Sequence, residues 1–387
     1  HIDHADGSPF SMVSIDKNGI FSARVPPGSY GLRILSESST PVLRNIKVSV
    51  NGAVLEPIDL PRVARIILPQ GNPMRLAFRG HDGTPNPHFE DTLLGNTVNG
   101  ENGLITEPKV SDVHLTGTNK DIQYVFLSEG TYKVYAVHGP EFSLESTVLK
   151  VNSGEDQILQ IKTPKRSIST PNYMAVDMHV HSAPSMDNAF STRKRVKTFV
   201  AENGEIMVAA EHDTIYDFNP LISEMGVSEK MIAIAGTEVT STVNSDVAPF
   251  TIGHMNFFPL VIKPFAYRKG LTPHENRRTR DVLYEMSEAH NDPIAQLNHP
   301  REGFQLSGKS IPSNYEDLIE SEAFFEHMGV ASYPFNPHLP LSSFPNNSLI
   351  EPDKINGTRD IDFDVIEIMN GTQNYKPDRT AAVRQDW

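Results

Sequence analysis

"AVDMHVHSAPSMDNAF", residues 175–190, joins an apolar alternating run to two histidines one residue apart, with carboxylates on both sides. Side chains in a strand alternate between faces, so His179 and His181 point the same way. Two imidazoles on one face can grip one ion, and a neighbouring carboxylate can bridge to a second. The chain has 15 histidines and no cysteine. Disulfides and thiolate zinc sites are thereby excluded, and any metal rests on His, Asp and Glu, a donor set that suits zinc, manganese or iron.

Working outward, similar apolar runs recur through residues 174–387: MAVDMHV, EIMVAAEH, MIAIAGTE, TIGHMNFF, PIAQLNH and FDVIEIMN. Helical patterns lie between them. STRKRVKTFVAEN puts Val196, Phe199 and Val200 on one face, with Ser191 or Thr192 as cap and Gly204 as stop; TRDVLYEMSEAH does the same with Val282, Met286 and Ala289. Strand–helix alternation implies a parallel sheet or an α/β barrel. Polar groups mark the runs: His179 and His181, then Glu211, His212 and Asp213, then Glu238, His254, His299, and Glu367 with Asn370. In an α/β barrel the strand C-termini converge on one mouth, where catalytic groups sit. A metal gathered there would lower the pKa of a water and polarise a scissile bond. His274, His290, His327 and His338 read as solvated. Arg193, Lys194, Arg195 and Lys197 read as the wet face of a helix.

Residues 1–165 have a different texture. FSARV (21–25), YGLRIL (30–35), QYVFL (123–127) and YKVYAV (132–137) alternate as strands between Gly, Pro and Asn turns. VPPGSYGLRI (25–34) matches LSEGTYKVYA (127–136), and Gly28/Gly130, Tyr30/Tyr132 and Gly52/Gly154 all stand 102 apart. That offset implies two tandem units, 1–62 and 63–165, followed by a polar linker at 166–173. Subtracting 102 from 63 gives −39, so the first unit is expected to start about 40 residues before His1 and to lack strands.

Two resemblances follow from these residues. Asp16, Gly19, Phe21, Val25–Gly28, Tyr30 and Leu32 form a pattern similar to the transthyretin-like, carboxypeptidase-regulatory-type β-sandwich. DMHVHS (177–182) with Asp187, AEHD (210–213), GTE (236–238), GHMN (253–256), NHPR (298–301) and EIMNG (367–371) resemble, in order, the PHP (polymerase and histidinol phosphatase) superfamily, and most of all its carbaryl-hydrolase-type branch. The resemblance implies a distorted (βα)7 barrel over 174–387 holding two or three divalent ions. The first ion would take His179, His181 and Glu238; the second would share Glu238 and add His254 and His299; the third would use His212 and Asp187. Arg301 is the expected substrate-oriented cation and Glu211 a supporting carboxylate. The family's closing Asp-x-His motif is expected beyond Trp387, with the barrel incomplete at that end. Asp112-Val113-His114 matches it only as a strand coincidence.

The implied activity is metal-dependent hydrolysis, in which a bridging hydroxide attacks an ester, carbamate or amide of a small-molecule substrate. Phosphoester hydrolysis is the alternative within the superfamily, and a non-catalytic secreted binding module is the alternative outside it. The net charge of −14 argues against a nucleic-acid partner, and no apolar run reaches the ~20 residues of a membrane span. The lack of cysteine and the β modules fit an extracellular or periplasmic protein.

Overall fold

The computed structural model describes residues 1–34, 42–60, 62–87, 89, 111–188, 190–241, 252–299, 329–330, 333–334 and 339–367. The chain is strand-rich and divides into two compact units. One comprises His1–Tyr173, Arg193–Gly204 and Met225–Lys230; the other comprises Met174–Thr192, Glu205–Glu224 and Met231–Trp387. Among the described residues no helix is long and apolar enough to cross a membrane.

In the first unit, β1 (Ile2–His4), β2 (Pro9–Ser11), β3 (Gly28–Ile34) and β4 (Val42–Val48) form one antiparallel sheet ordered β2-β1-β3-β4. Seven strands follow: β5 (Val63–Ile67), β6 (Pro73–His81), β7 (Asp112–Thr116), β8 (Tyr124–Ser128), β9 (Gly130–Val137), β10 (Glu145–Val151) and β11 (Gln157–Ile158). They make a sheet ordered β7-β6-β9-β10 and another ordered β11-β5-β8. Alternation sends Ile66, Leu76, Phe78, Leu127, Tyr132 and Val134 into one core shared by the two sheets.

Strand order in the first sheet repeats that of β7-β6-β9-β10. Tyr30 Oη donates to Pro26 O at 2.9 Å and Tyr132 Oη to Ser128 O at 3.0 Å, each reaching four residues back. Gly52 and Gly154 both occupy left-handed turns, with φ of 87° and 78°. One expected strand is absent: residues 21–25 are irregular, although Phe21 and Val25 still pack on Tyr30 and Leu32. Pro26 and Pro27 follow directly and have no N–H to give a ladder. Helix α1 (Thr192–Ala201) buries Val196 and Val200. Its C-terminal end is held by His138, whose Nδ1 lies 2.8 Å from Ala201 O, and by the pairing of Arg75 with Glu202.

The second unit carries β12 (Val176–Val180), β13 (Ile206–Ala209) and β14 (Ile232–Ala235) as a parallel sheet. A second sheet is ordered β15 (Thr237–Ser241), β16 (Gly253–Phe258), β17 (Ile294–Leu297) and β20 (Val365–Ile366). Two-residue strands β18 (Gly329–Val330) and β19 (Tyr333–Pro334) pair with each other. Helix α2 (Asn219–Met225) follows β13. Helix α3 (Thr279–His290) ends on left-handed Asn291 and packs Val282 and Met286 against Val239, Met255, Phe257 and Leu297.

The expectation of parallel strands throughout fails at β16, which runs antiparallel to both β15 and β17. Residues 242–252 are too few for the helical crossover that parallel neighbours need. The expected solvation of two histidines also fails. His274 and His290 are buried, and His290 is held because its Nδ1 accepts from Val261 N and its Nε2 lies 3.1 Å from Gly270 O. His327 and His338 lie outside the described residues.

Candidate metal centre

Glu238 enters just after β15 begins, following a close approach of backbones. A Cβ on Gly236 would stand 2.9 Å from Phe257 O, so only glycine lets the chain pass here. Glu238 is fully buried. Its Oε2 lies 3.0 Å from His181 Nε2, 3.2 Å from His179 Nε2 and 3.3 Å from His212 Nδ1. Its Oε1 lies 3.0 Å from His254 Nδ1 and 3.5 Å from His299 Nε2. Five imidazoles thus surround one carboxylate.

The strands explain the convergence. His179 lies in β12 and His181 follows directly after it, and their Nε2 atoms come within 2.9 Å of each other. His212 follows β13 and bridges to Glu238 in parallel register. His254 arrives from the opposite direction, at the start of antiparallel β16, where it pairs with Thr240. His299 follows β17. Asp187 Oδ2, half exposed, lies 3.4 Å from His212 Nε2. Arg301 and Asn370 lie outside the described residues. Glu211 does not reach the imidazole cluster. It is buried behind it and accepts hydrogen bonds from Ser182 N, Ser182 Oγ and Ser185 Oγ.

Asn256 and Asn298 were not picked out from the sequence as site residues, whereas Asp213 and Glu367 were noted only as strand-end groups. Asn298 Nδ2 donates to Glu238 Oε1 and to Asn256 Oδ1, both at 2.8 Å, and Asn256 Nδ2 donates to Met178 O. Two residues past His254, Asn256 falls on the same strand face, a signal that period-two reading carries. Glu367 Oε1 lies 3.0 Å from His179 Nδ1, and its Oε2 accepts from His299 N. Beside the cluster, Asp213 is gripped by His274 Nε2 at 3.0 Å and by Arg268 Nη1 at 3.1 Å, and it accepts from Thr240 N.

Burial opposes charge on these groups, yet the pairings decide the outcome. Burial pushes His179 down, but the Glu238 carboxylate and the Glu367 contact outweigh it and raise His179 to about 10. Burial pushes Glu238 up, while the charge on His179 and the closeness of the imidazoles around it hold it well below the usual carboxylate range. His212 is raised, because Asp187 and Glu238 overcome its burial. His254 is lowered, chiefly by burial. An ion ligated by His179 must therefore displace its proton. Between pH 6.5 and about 10, divalent-ion affinity is expected to rise with pH, by about tenfold per unit for one proton released. Calorimetric titration in buffers of different ionisation enthalpy measures that proton; pH-independent affinity with no proton release would contradict it.

Four sets place one donor atom per residue within 4.8 Å of the others: His179, His181 and Glu238; His212, Glu238 and His254; His181, Asp187 and His212; and His179, His299 and Glu367. Glu238 Oε2 is buried and accepts no hydrogen bond despite the imidazole nitrogens around it. A buried polar atom left so is costly unless something else satisfies it. Imidazole and carboxylate without thiolate fit divalent zinc, manganese or iron. Beside the combinations drawn from the resemblance, His212 also lies with Glu238 and His254, and His299 with His179 and Glu367.

No family model matches the chain, and no curated protein matches it. Among solved structures, it is similar to a two-domain protein containing predicted PHP-like metal-dependent phosphoesterase from Bacteroides vulgatus ATCC 8482. Identity is 20% and the TM-score 0.25, over 37% of this chain and 39% of that one, so the match spans under half of that structure's length. A likeness at this TM-score does not establish a shared fold or activity.

Proposed function

We propose that residues 174–387 form a metal-dependent hydrolase of the PHP type, acting on an ester, carbamate or amide bond. The observation that carries this reading is Glu238 Oε2, buried, without a hydrogen bond, and faced by three imidazole nitrogens within 3.3 Å. His179, His181, His212, Glu238, His254 and His299 would hold the ions, with Asp187 and Glu367 at the margins. Bound there, a divalent ion supplies Lewis-acid charge and makes a water acidic enough to act as nucleophile near neutral pH.

The chain's own residues do the rest. Asn298 fixes one oxygen of Glu238, leaving the other turned toward His179, His181 and His212. Low exposure of Glu238, His254 and Asn298 keeps bulk water from competing for them. What favours carbon–oxygen or carbon–nitrogen bonds over phosphoesters is the lining among the described residues, made of imidazoles, carboxylates and amides, with Arg268 paired to Asp213. Residues 1–62 and 63–165 are read as carboxypeptidase-regulatory-like units on their matching strand order and tyrosine contacts.

The test is hydrolysis of a panel of carboxylic esters, carbamates, amides and phosphomonoesters, before and after chelator treatment. Turnover of a carbon-centred substrate that is lost to chelator and restored by zinc, manganese or iron is expected. Turnover of phosphomonoesters alone would move the reading to the phosphoesterase branch, and chelator-resistant turnover would remove metal from it.

A further inference from the structure

Glu238, Asn256 and Gln296 stand directly opposite one another across β15, β16 and β17. Directly opposite residues of antiparallel strands share a face of the sheet, so the three side chains form one row. Asn298 lies two residues past Gln296 and joins them. All four are buried. Gln296 Nε2 donates to Asn298 Oδ1 at 2.9 Å. Asn298 Nδ2 donates to Asn256 Oδ1 and to Glu238 Oε1, each at 2.8 Å, and Asn256 Nδ2 donates to Met178 O at 2.8 Å.

The far end of this chain fixes its direction. A backbone carbonyl only accepts, so Asn256 turns its NH2 to Met178 O and its oxygen to Asn298. Asn298 must then present its NH2 to Asn256, and the second hydrogen of that group goes to Glu238. Its oxygen is left for Gln296. Reversing any one amide would set two donors or two acceptors face to face in a buried place, where that is costly.

Met178 O sits at an irregular point of β12. Asp177 pairs with Met207 and Val180 with Ala209, three steps along β12 against two along β13, so β12 carries one extra residue as a bulge. The bulge falls at Met178 and His179. It is held from within by Asp177 Oδ1, which accepts from His179 N at 3.0 Å, and from the other sheet by Asn256. One amide chain thus ties the carbonyl just before His179 to the carboxylate whose Oε2 lies 3.2 Å from His179 Nε2.

We propose that Asn256 and Asn298 are positioning residues that fix the β12 bulge, and with it His179, against Glu238. The proposal rests on the metal-dependent reading of the same site. Side chains that orient metal ligands act in this way, holding the donors at their spacing before an ion arrives.

The experiment uses the full chain with zinc alone as probe. Zinc affinity is read by competition with a chromophoric chelator, stability by denaturation of the zinc-free protein, and the side-chain amides by proton–nitrogen spectra of nitrogen-15-labelled protein. Asn256→Leu, close in volume, and Asn298→Ala are each expected to weaken the tightest zinc binding by about 10–100-fold in protein that remains folded. In the zinc-free wild type both Asn298 amide hydrogens should exchange slowly with solvent. In Asn256→Leu the one that faced Asn256 should lose its hydrogen-bonded shift, while the one on Glu238 keeps it. Zinc added to the wild type should move the Glu238-bonded hydrogen further than its partner. A space-filling role lowers stability and leaves zinc affinity unchanged, and that result overturns the proposal alone. So does rapid exchange of both Asn298 hydrogens in the wild type, a measurement that stands should both variants fail to fold. A wild-type chain that takes up no zinc overturns the metal reading and this proposal together.

Discussion

Glu238→Gln is expected to lose its metal. The native carboxylate faces five imidazoles, three on one oxygen and two on the other. Glutamine keeps the shape and can still accept from Asn298, but it removes the one negative charge at the middle of the cluster. It also puts an NH2 group, which has only hydrogens to offer, where one of those oxygens stood. Outer-partner substitutions typically cost about 10–100-fold in metal affinity, and this inner one should cost more than that range. Hydrolysis should fall with it. Metal content after dialysis and turnover at saturating metal are the measurements. A variant that keeps wild-type metal content would show that Glu238 organises the imidazoles without ligating anything.

Tyr132→Ala is expected to have the largest effect in the first unit. The side chain is fully buried among Phe78, Leu76, Val134 and their neighbours, and its hydroxyl ties β9 back to Ser128 O. Truncating a buried aromatic residue costs about 3–5 kcal/mol, a large share of the ~5–15 kcal/mol that holds a typical domain together. Tyr132→Phe isolates the hydrogen bond and should cost about 0.5–1.5 kcal/mol. Chemical denaturation followed by a probe of the first unit reads both. Equal stability of the Ala and Phe variants would show that the ring contributes nothing beyond its hydroxyl. Tyr30→Phe should match Tyr132→Phe if the two contacts do the same work.

How much of this was legible in the sequence follows from what period-two and motif reading can see. Alternation through 181 put His179 and His181 on one side; the strand stops at Val180, and the two rings still meet at 2.9 Å. His212, Glu238, His254 and His299 were found because each stands beside a run of apolar residues. What the sequence hid was direction. His254 reaches the cluster from the start of an antiparallel strand, an arrangement that only the pairing of β15 with β16 reveals. Partners far apart in the chain were equally hidden: His179 and Glu367 are 188 residues apart, and nothing local in either marks the contact. Nothing in the sequence singles out Ser185, which is buried and donates to Glu211, 26 residues on. His274 looked solvated because it reads as a loop residue, whereas Asp213, Thr240 and Arg268 enclose a buried polar knot around it. FSARV alternated correctly, but the prolines after it removed the ladder it needed.

Anomalous diffraction from crystals of the full chain grown with zinc tests the central claim most directly. The account predicts a strong peak about 2.0–2.2 Å from Glu238 Oε2 and from Nε2 of His179 and His181. Zinc sites confined to the surface, with Glu238 and the five imidazoles bonded only to one another, would contradict it.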